Sequence, residues 1–535
     1  MQNRTLTENW QYLAMWLALT VTALACRPLI PIDETRYLSV AWEMWQNHSF
    51  LVPYSNGVPY SHKPPLLFWI FQASWWLFGV GEWPVRMVAP IFGLAAVFLT
   101  KKLAILLWPE RENISRSAPF ILMGTGVWAV YSTLTLFDTL ISCCSLIALT
   151  MIFLADRRPH LGLWFGFSLA LGAGILAKGP VILVYVLPAV ILAPWWSTAS
   201  GRSWPKWYGC ALLSLAGTAG LALCWAVPAA IAGGSDYAHS IFFSQTAGRI
   251  VQAFAHRRPF YWYLMLLPLL TFPWFFWRPV WRGWWRTKLD PSSRFCLSAL
   301  APAFFVLSLI SGKQIHYILP LLPLTALLIA RGTFEVPSTW EDRLKLALPY
   351  LLLSLGFWIG LQLPRKGGDA AMLHDLPRWI AALPLACSLP LLARKSISRA
   401  GTKQLITVSL LLLVVSLHLS LAQPLRSIFD VSSIACRLQA ADLENKEIAV
   451  LPAELADQFH FAGRLAHPLY SETNWDRLAE WAIKNPDHYC LIFTRSKSYA
   501  LLTGDGIAQH YKDGWLIFRQ ANNLLSAYQA WAPVQ

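Results

Sequence analysis

Long apolar runs recur along the whole chain, and they limit its fold more than any other feature. About thirteen stretches of roughly 17–25 residues match the length a helix needs to cross a bilayer. They lie near 11–30, 86–108, 119–136, 139–155, 161–177, 179–196, 207–232, 260–280, 295–311, 315–331, 345–363, 376–393 and 404–422. Hydrocarbon offers no water to satisfy backbone groups, so each such run must close its own hydrogen bonds as a helix. Composition agrees. Of the 535 residues 56% are hydrophobic and only 13% are charged, whereas a soluble chain carries about 25% charged residues. The sequence is therefore that of a polytopic α-helical membrane protein. No small-residue cleavage site follows the first run, so it reads as a retained helix rather than a removed signal peptide.

The net charge of +15 does not indicate nucleic-acid binding. Lys and Arg mark cytoplasmic loops and contacts with anionic headgroups. Charge also settles the run "LLFWIFQASWWLFGV" (66–80), which is short for a span and rich in Trp and Phe. With 66–80 lying in the interface and the N-terminus cytoplasmic, about 20 Lys and Arg fall in cytoplasmic loops and about 11 in the short loops opposite. If 66–80 spans, every later loop flips and the bias is lost. The run is expected to be a juxtamembrane helix. The stretch "IPIDETRYLSVAWEMW" (30–45) then faces outward, to the periplasm in a Gram-negative host.

Beyond about residue 425 the pattern changes. "KEIAVLPAEL", "HYCLIFTRS" and "DGWLIFRQA" read as short strands, and "WDRLAEWAIK" as an amphipathic helix. The expected division is 1–424 for the membrane domain and 425–535 for a small extracytoplasmic α/β domain. Of nine Cys, seven lie in or beside apolar runs as small buried hydrophobes. Cys436 and Cys490 lie in the polar segment, where an oxidising compartment would permit a disulfide. No pattern with metal-ligand spacing such as CxxC occurs.

In this topology the polar residues collect on the outward side. Loop 31–65 carries Asp33, Glu34, Arg36, Tyr37, His62 and Lys63. Asp138 and Lys178 are each flanked by apolar runs. Loop 233–259 carries Arg249, His256, Arg257 and Arg258, and "SGKQIHYILP" adds Lys313, His316 and Tyr317. Singly, each has a bland reading: a snorkelling lysine, a headgroup contact, a belt tyrosine. A carboxylate near the hydrocarbon needs a partner, and Asp138 and Lys178 could supply one another. Together the set has the chemistry of group transfer. A carboxylate can take a proton from an acceptor hydroxyl, fixed cations can hold a departing phosphate, and an aromatic interfacial helix can steer a lipid tail. Asp33, Glu34 and His62 are also suitable metal-ligand types, which leaves a divalent metal open. No motif requires a cofactor.

These motifs resemble the polytopic, lipid-phosphate-sugar-dependent glycosyltransferases of the GT-C fold, glycosyltransferase family 39. That family includes the lipid A aminoarabinose transferases and the protein O-mannosyltransferases. "DETRY", "VPYSNGVPYSHKPPLLFW", "LTLFDT", "GILAKGP", "AGRIVQAFAHRRPFYWYL" and "SGKQIHYILPLLP" follow in the family's order over roughly residues 10–335. The resemblance implies a GT-C membrane domain with outer catalytic loops 31–85 and 233–259. It makes Asp33 the base or acceptor-positioning carboxylate and Glu34 its acidic neighbour. It assigns Arg36, Tyr37, Lys63, Asp138, Lys178, Arg249, Arg257, Arg258 and Tyr317 to the donor phosphate and the site lining. Two positions depart from the aminoarabinose transferases: His62 stands where they usually carry Glu, and Thr246 where they usually carry His. Both have been linked to metal binding in this fold. The departures therefore speak against a zinc site built as in those relatives and against aminoarabinose as the sugar.

The expected function is inverting transfer of a sugar from a polyprenyl-phosphate donor to an extracytoplasmic acceptor. That acceptor is lipid A or another cell-surface glycolipid, with a protein hydroxyl as the alternative. The expected location is the bacterial inner membrane with the site facing the periplasm. A transporter or flippase would show internal repeats and ionisable groups near the midplane. No repeat is visible, and the charges gather at one membrane edge.

Overall fold

A computed structural model describes residues 2–243, 257–362, 376–392, 398–495 and 506–524. Its first half runs through α1 (Gln2–Cys26), α2 (Asp33–Gln46), the hairpin β1 (Tyr54–Ser55) and β2 (Val58–Pro59), α3 (Leu66–Phe78), α4 (Glu82–Leu107), α5 (Glu112–Met123), α6 (Gly126–Tyr131), α7 (Asp138–Arg157), α8 (Leu161–Lys178) and α9 (Val181–Ile191). Among the described residues eight segments are long and apolar enough to cross a membrane. They are α4, α7, α8, Trp204–Gly233, Pro291–Leu309, Ile315–Gly332, Trp340–Gln362 and Gly401–Leu443. The 25 residues of α1 are also long enough at about 1.5 Å each, although the helix starts polar.

The thirteen expected spans are thus not thirteen continuous helices. The run 119–136 breaks at Gly124–Thr125, where Thr125 is extended (φ −97°, ψ 121°) between α5 and α6. In 260–280, Pro268, Pro273 and Pro279 accompany only short helical pieces, Trp262–Met265, Leu267–Leu270, Trp274–Phe276 and Arg278–Arg286. The run 376–393, with Pro377, Pro384 and Pro390, is likewise a chain of short turns. Hydropathy sees none of this, because a proline that removes a backbone donor and crowds the preceding turn is still apolar. The 13 residues of α3 span only about 20 Å, in line with a juxtamembrane helix; Trp76 and Phe78 are exposed on it.

The chain forms two compact units, drawn differently from a division at 424/425. One comprises Met1–Leu24, Ser61–Phe357 and Ala381–Leu417; the other comprises Ala25–Tyr60, Trp358–Ile380 and His418–Gln535. In the first, α7 is the central helix, 83% of its apolar window being buried. Its Ser142 and Thr150 hydroxyls donate to the carbonyls of Asp138 and Leu146, each at 2.7 Å, so polar side chains enter the core already satisfied. The helix Arg278–Arg286 crosses the end of Leu322–Gly332 so closely that a Cβ on Gly283 would lie 2.1 Å from the Gly332 carbonyl oxygen. Backbone cannot yield as a side chain does. Gly283→Ala is therefore expected to cost about 1–3 kcal/mol, measured as a lower melting temperature of the detergent-solubilised chain.

The second unit is α/β. Its sheet has the order β4-β3-β5-β7-β6, built from β3 (Ile448–Leu451), β4 (Tyr470–Ser471), β5 (Tyr489–Thr494), β6 (Ile507–Tyr511) and β7 (Gly514–Gln520). β4, β3 and β5 run parallel, while β5–β7 and β7–β6 pair antiparallel. Alternation along the strands sends Ile448, Val450 and Leu491 to one face with Ile434 and Leu438 of the helix Ser432–Leu443. Ala449, Leu451, Cys490 and Ile492 go to the other face with Leu478 and Trp481 of the helix Trp475–Lys484. The disulfide that the sequence left open between Cys436 and Cys490 is not formed: both thiols are free, Cys436 exposed and Cys490 buried. Cys436 belongs to the helix on one side of the sheet and Cys490 faces the other.

Loop 25–60 folds with this sheet. Asn56 (φ 54°) and Gly57 (φ 75°) occupy the left-handed turn of the β1–β2 hairpin, as a tight hairpin requires. Glu43 accepts both turn N–H groups, from Asn56 at 2.6 Å and Gly57 at 2.8 Å. The Asn56 amide exchanges two hydrogen bonds with the Leu469 backbone, at 2.9 and 2.7 Å.

Beside Glu43, burial pushes the His460 imidazole down to about 4. An unfolded histidine titrates near 6.5, so between those values the unfolded chain binds more protons and the fold loses stability as pH falls. Glu43, 3.9 Å away, is raised chiefly by burial and acts in the opposite sense. The expected result is a melting temperature that declines less steeply from pH 6.5 to 4.5 in His460→Gln than in the parent.

Candidate active site

The charged residues expected from the sequence fall into two groups, one in each unit. The first group begins with a helical hairpin. Asp138 opens α7, where a carboxylate complements the helix dipole; Lys178 closes α8, where a cation does the same. Gly179 (φ 78°) and Pro180 stop α8 there. A short connection makes α7 and α8 antiparallel, so the two ends meet and Lys178 Nζ lies 2.5 Å from Asp138 Oδ1. Their side chains are 10% and 3% exposed, a depth at which neither charge is tolerable without the other.

The turn Ile315–Leu321 completes this group. His316 Nε2 is 4.0 Å from the second Asp138 oxygen, and Lys178 Nζ sits 4.8 Å above the Tyr317 ring. The turn is pinned by two buried phenols: Tyr185 donates to the Tyr317 carbonyl and Tyr263 to the Gln314 carbonyl, each at 2.8 Å. Lys63 lies 5.8 Å from the ring centre of Phe137, the residue before Asp138, and Phe68 packs edge-on to the same ring. His62 is exposed. Arg257 bridges to Gly312, and the Arg258 N–H donates to the Ser311 carbonyl at 3.0 Å. Lys313 donates to the carbonyls of Arg258 and Ile310, which makes it a clamp holding the arginine segment to the turn. Both arginines are exposed. Arg249 and Thr246 lie outside the described residues.

The second group sits at the start of α2. Tyr37 donates to Asp33 Oδ1 at 3.2 Å, one helical turn apart on the same face. Glu34 braces the backbone instead. It is 2% exposed, pairs with Arg27 and accepts the Ile30 N–H at 2.8 Å, fixing the approach to the helix. Arg36 Nε lies 2.7 Å from Asp457 Oδ2. Burial lowers the affinity of Arg36 for its proton, but Asp457, Tyr60, Asp33 and Tyr37 outweigh it and raise the group overall. Burial also raises Tyr60, against the pull of Arg36. Asp457 and Tyr60 carried no signal in the sequence, whereas His316 stood within a motif without being given a role. Among the described residues no group of three or more His, Cys, Asp or Glu converges as a metal site would require.

One unit thus holds a paired carboxylate and lysine at the end of a membrane helix hairpin with a lysine and a tyrosine beside them, and the other holds an aspartate, an arginine and a tyrosine at the start of α2. The family model described as dolichyl-phosphate-mannose-protein mannosyltransferase matches residues 62–225. An undecaprenyl phosphate-alpha-4-amino-4-deoxy-L-arabinose arabinosyl transferase of Pectobacterium atrosepticum is 29% identical over 341 residues, 63% of this chain and 60% of the relative. The enzyme of the same name from Yersinia enterocolitica is 30% identical over 376 residues, 65% of each chain. The chain thus spans about three fifths of the length of the curated relatives it matches. The crystal structure of ArnT from Cupriavidus metallidurans bound to undecaprenyl phosphate superposes with a TM-score of 0.78 at 16% identity, covering 98% of this chain and 99% of that one. Its apo form gives 0.74.

The fold is therefore that of the polytopic GT-C membrane glycosyltransferases. Within that fold, residues 62–225 are similar to the protein mannosyltransferase family, and 63–65% of the chain is similar to the aminoarabinose transferases.

Proposed function

We propose that this protein is an inverting glycosyltransferase of the bacterial inner membrane. It takes a sugar from a polyprenyl-phosphate donor and passes it to a hydroxyl of lipid A or a related cell-surface glycolipid on the periplasmic side. The observation that carries the reading is the cation-rich group around Asp138, where Lys178, Lys63 and Tyr317 meet at one end of apolar helices. Lys178 and Lys63 bind the donor phosphate, and Arg36, Arg257 and Arg258 are further cations that the family resemblance assigns to it, as is Arg249, which lies outside the described residues. Asp33 takes the proton of the acceptor hydroxyl as that oxygen bonds to the anomeric carbon; the sugar–phosphate bond breaks and its electron pair leaves on the lipid phosphate. Tyr37 orients the Asp33 carboxylate, while Glu34 braces the helix that carries it. The departures at His62 and Thr246 argue against the sugar of those relatives, so 4-amino-4-deoxy-L-arabinose, the sugar in their names, is the one to test against other sugars.

Reconstitution with a radiolabelled undecaprenyl-phosphate sugar tests the reading. Label should move to lipid A. Label reaching the opposite leaflet with no new covalent product would replace transfer by transport. One observation favours a second acceptor: the match over 62–225 is to a protein mannosyltransferase description. Label appearing on protein and not on glycolipid would select it.

A further inference from the structure

We propose that Asp457, from the C-terminal part of the chain, is a positioning residue for the loop arginine Arg36 and sets the geometry in which Arg36 meets the donor phosphate. This rests on the reading of Arg36 given above. The pair joins Nε to Oδ2 at 2.7 Å, the two side chains being 24% and 23% exposed. A guanidinium is a planar fork, and an anion held beside Nε restrains the plane in which its two terminal nitrogens lie. Those terminal nitrogens are the ones that grip a phosphate in bidentate fashion.

The surroundings hold this arrangement from several sides. Asp457 belongs to the turn Ala453–Gln458, and the next short helix packs on α2, with the Phe461 N–H 3.4 Å from Ser39 Oγ. Trp42 of α2 donates to the Leu465 carbonyl at 3.0 Å, and Tyr511 donates to Gln458 at 2.8 Å. Tyr60 lies beside Arg36 and Asp457. Asp457 is thus fixed to the sheet and Arg36 to α2, and the contacts between sheet and α2 keep the distance constant. An arginine of a solvated loop would instead lose rotamer freedom each time it bound phosphate. Asp33 is one turn back from Tyr37 on the same helix, so the helix that carries the arginine also carries the proposed base.

The test measures binding of undecaprenyl phosphate itself to the full-length chain in nanodiscs, which needs no knowledge of the sugar. D457N should weaken binding about tenfold, the scale of one charge-assisted contact, with an unchanged melting temperature. D457E should restore binding to within about threefold, since it keeps the anion. In an R36A background D457N should do nothing further, because the residue acts through the arginine. Wild-type affinity in D457N overturns the proposal. So does a further loss of affinity on adding D457N to R36A, and so does a D457N chain whose lost binding merely follows its unfolded fraction. If R36A alone binds as tightly as the parent, the phosphate role of Arg36 fails, which is distinct from a failure confined to Asp457.

Discussion

Asp33→Asn is expected to leave the protein folded, inserted and able to bind undecaprenyl phosphate, while transfer falls by about 10²–10⁴-fold, the usual contribution of a general base. The substitution keeps shape and removes only basicity. Tyr37 can still donate to the amide oxygen that replaces Oδ1, so the local contact at 3.2 Å survives. Asp33 is half-buried and, among the described residues, makes no ion pair such as the one that occupies Glu34. The parallel change Glu34→Gln should act differently. It strips the partner from buried Arg27, so its main effect should be a lower melting temperature. Single-turnover transfer and thermal melting, run on both variants, separate the two. Near-parent turnover by Asp33→Asn would place the base elsewhere.

The second large effect concerns Asp138 and Lys178. Asp138→Asn leaves Lys178 deep in the hairpin without its counter-charge, and Lys178→Met leaves Asp138, among the described residues, with His316 at 4.0 Å as its remaining ionisable partner. Breaking a buried pair from one side costs about 3–5 kcal/mol. The double variant Asp138→Asn/Lys178→Met removes both charges and should melt higher than either single variant. Were the pair purely structural, the double variant would also recover donor binding. The expected result is that it does not, with undecaprenyl phosphate affinity staying at least about tenfold below the parent because the cation is gone. Recovered affinity would reduce the pair to a brace for α7 and α8.

Much of this was legible because membrane chains advertise their helices by length and their orientation by charge. α4, α7 and α8 fall within a few residues of the expected spans. Asp138 and Lys178 stood out because a charge between apolar runs demands a reason. β3, β5, β7 and the helix Trp475–Lys484 follow from their periodicities. β6, "IAQHY", has too little apolar alternation to announce itself, and β4 is two residues long. The breaks in 119–136 and 260–280 are invisible to hydropathy because glycine and proline interrupt backbone without adding polarity. The partnership of Arg36 with Asp457 could not be read at all. It joins opposite ends of the chain, and an aspartate in a polar segment looks the same whether it faces solvent or a guanidinium.

The clasp between loop 25–60 and the C-terminal sheet has a practical consequence for anyone shortening this protein. A chain cut at residue 424 would lose the Leu465 carbonyl that receives Trp42, the Leu469 backbone that holds Asn56, and the carboxylate opposite Arg36. The membrane helices could still insert, because their apolar surfaces need only lipid and one another. The outer loop would be left as a peptide without a template. Such a truncation would yield a well-expressed membrane protein with a ruined loop, and its inactivity would say nothing about whether the sheet itself touches substrate.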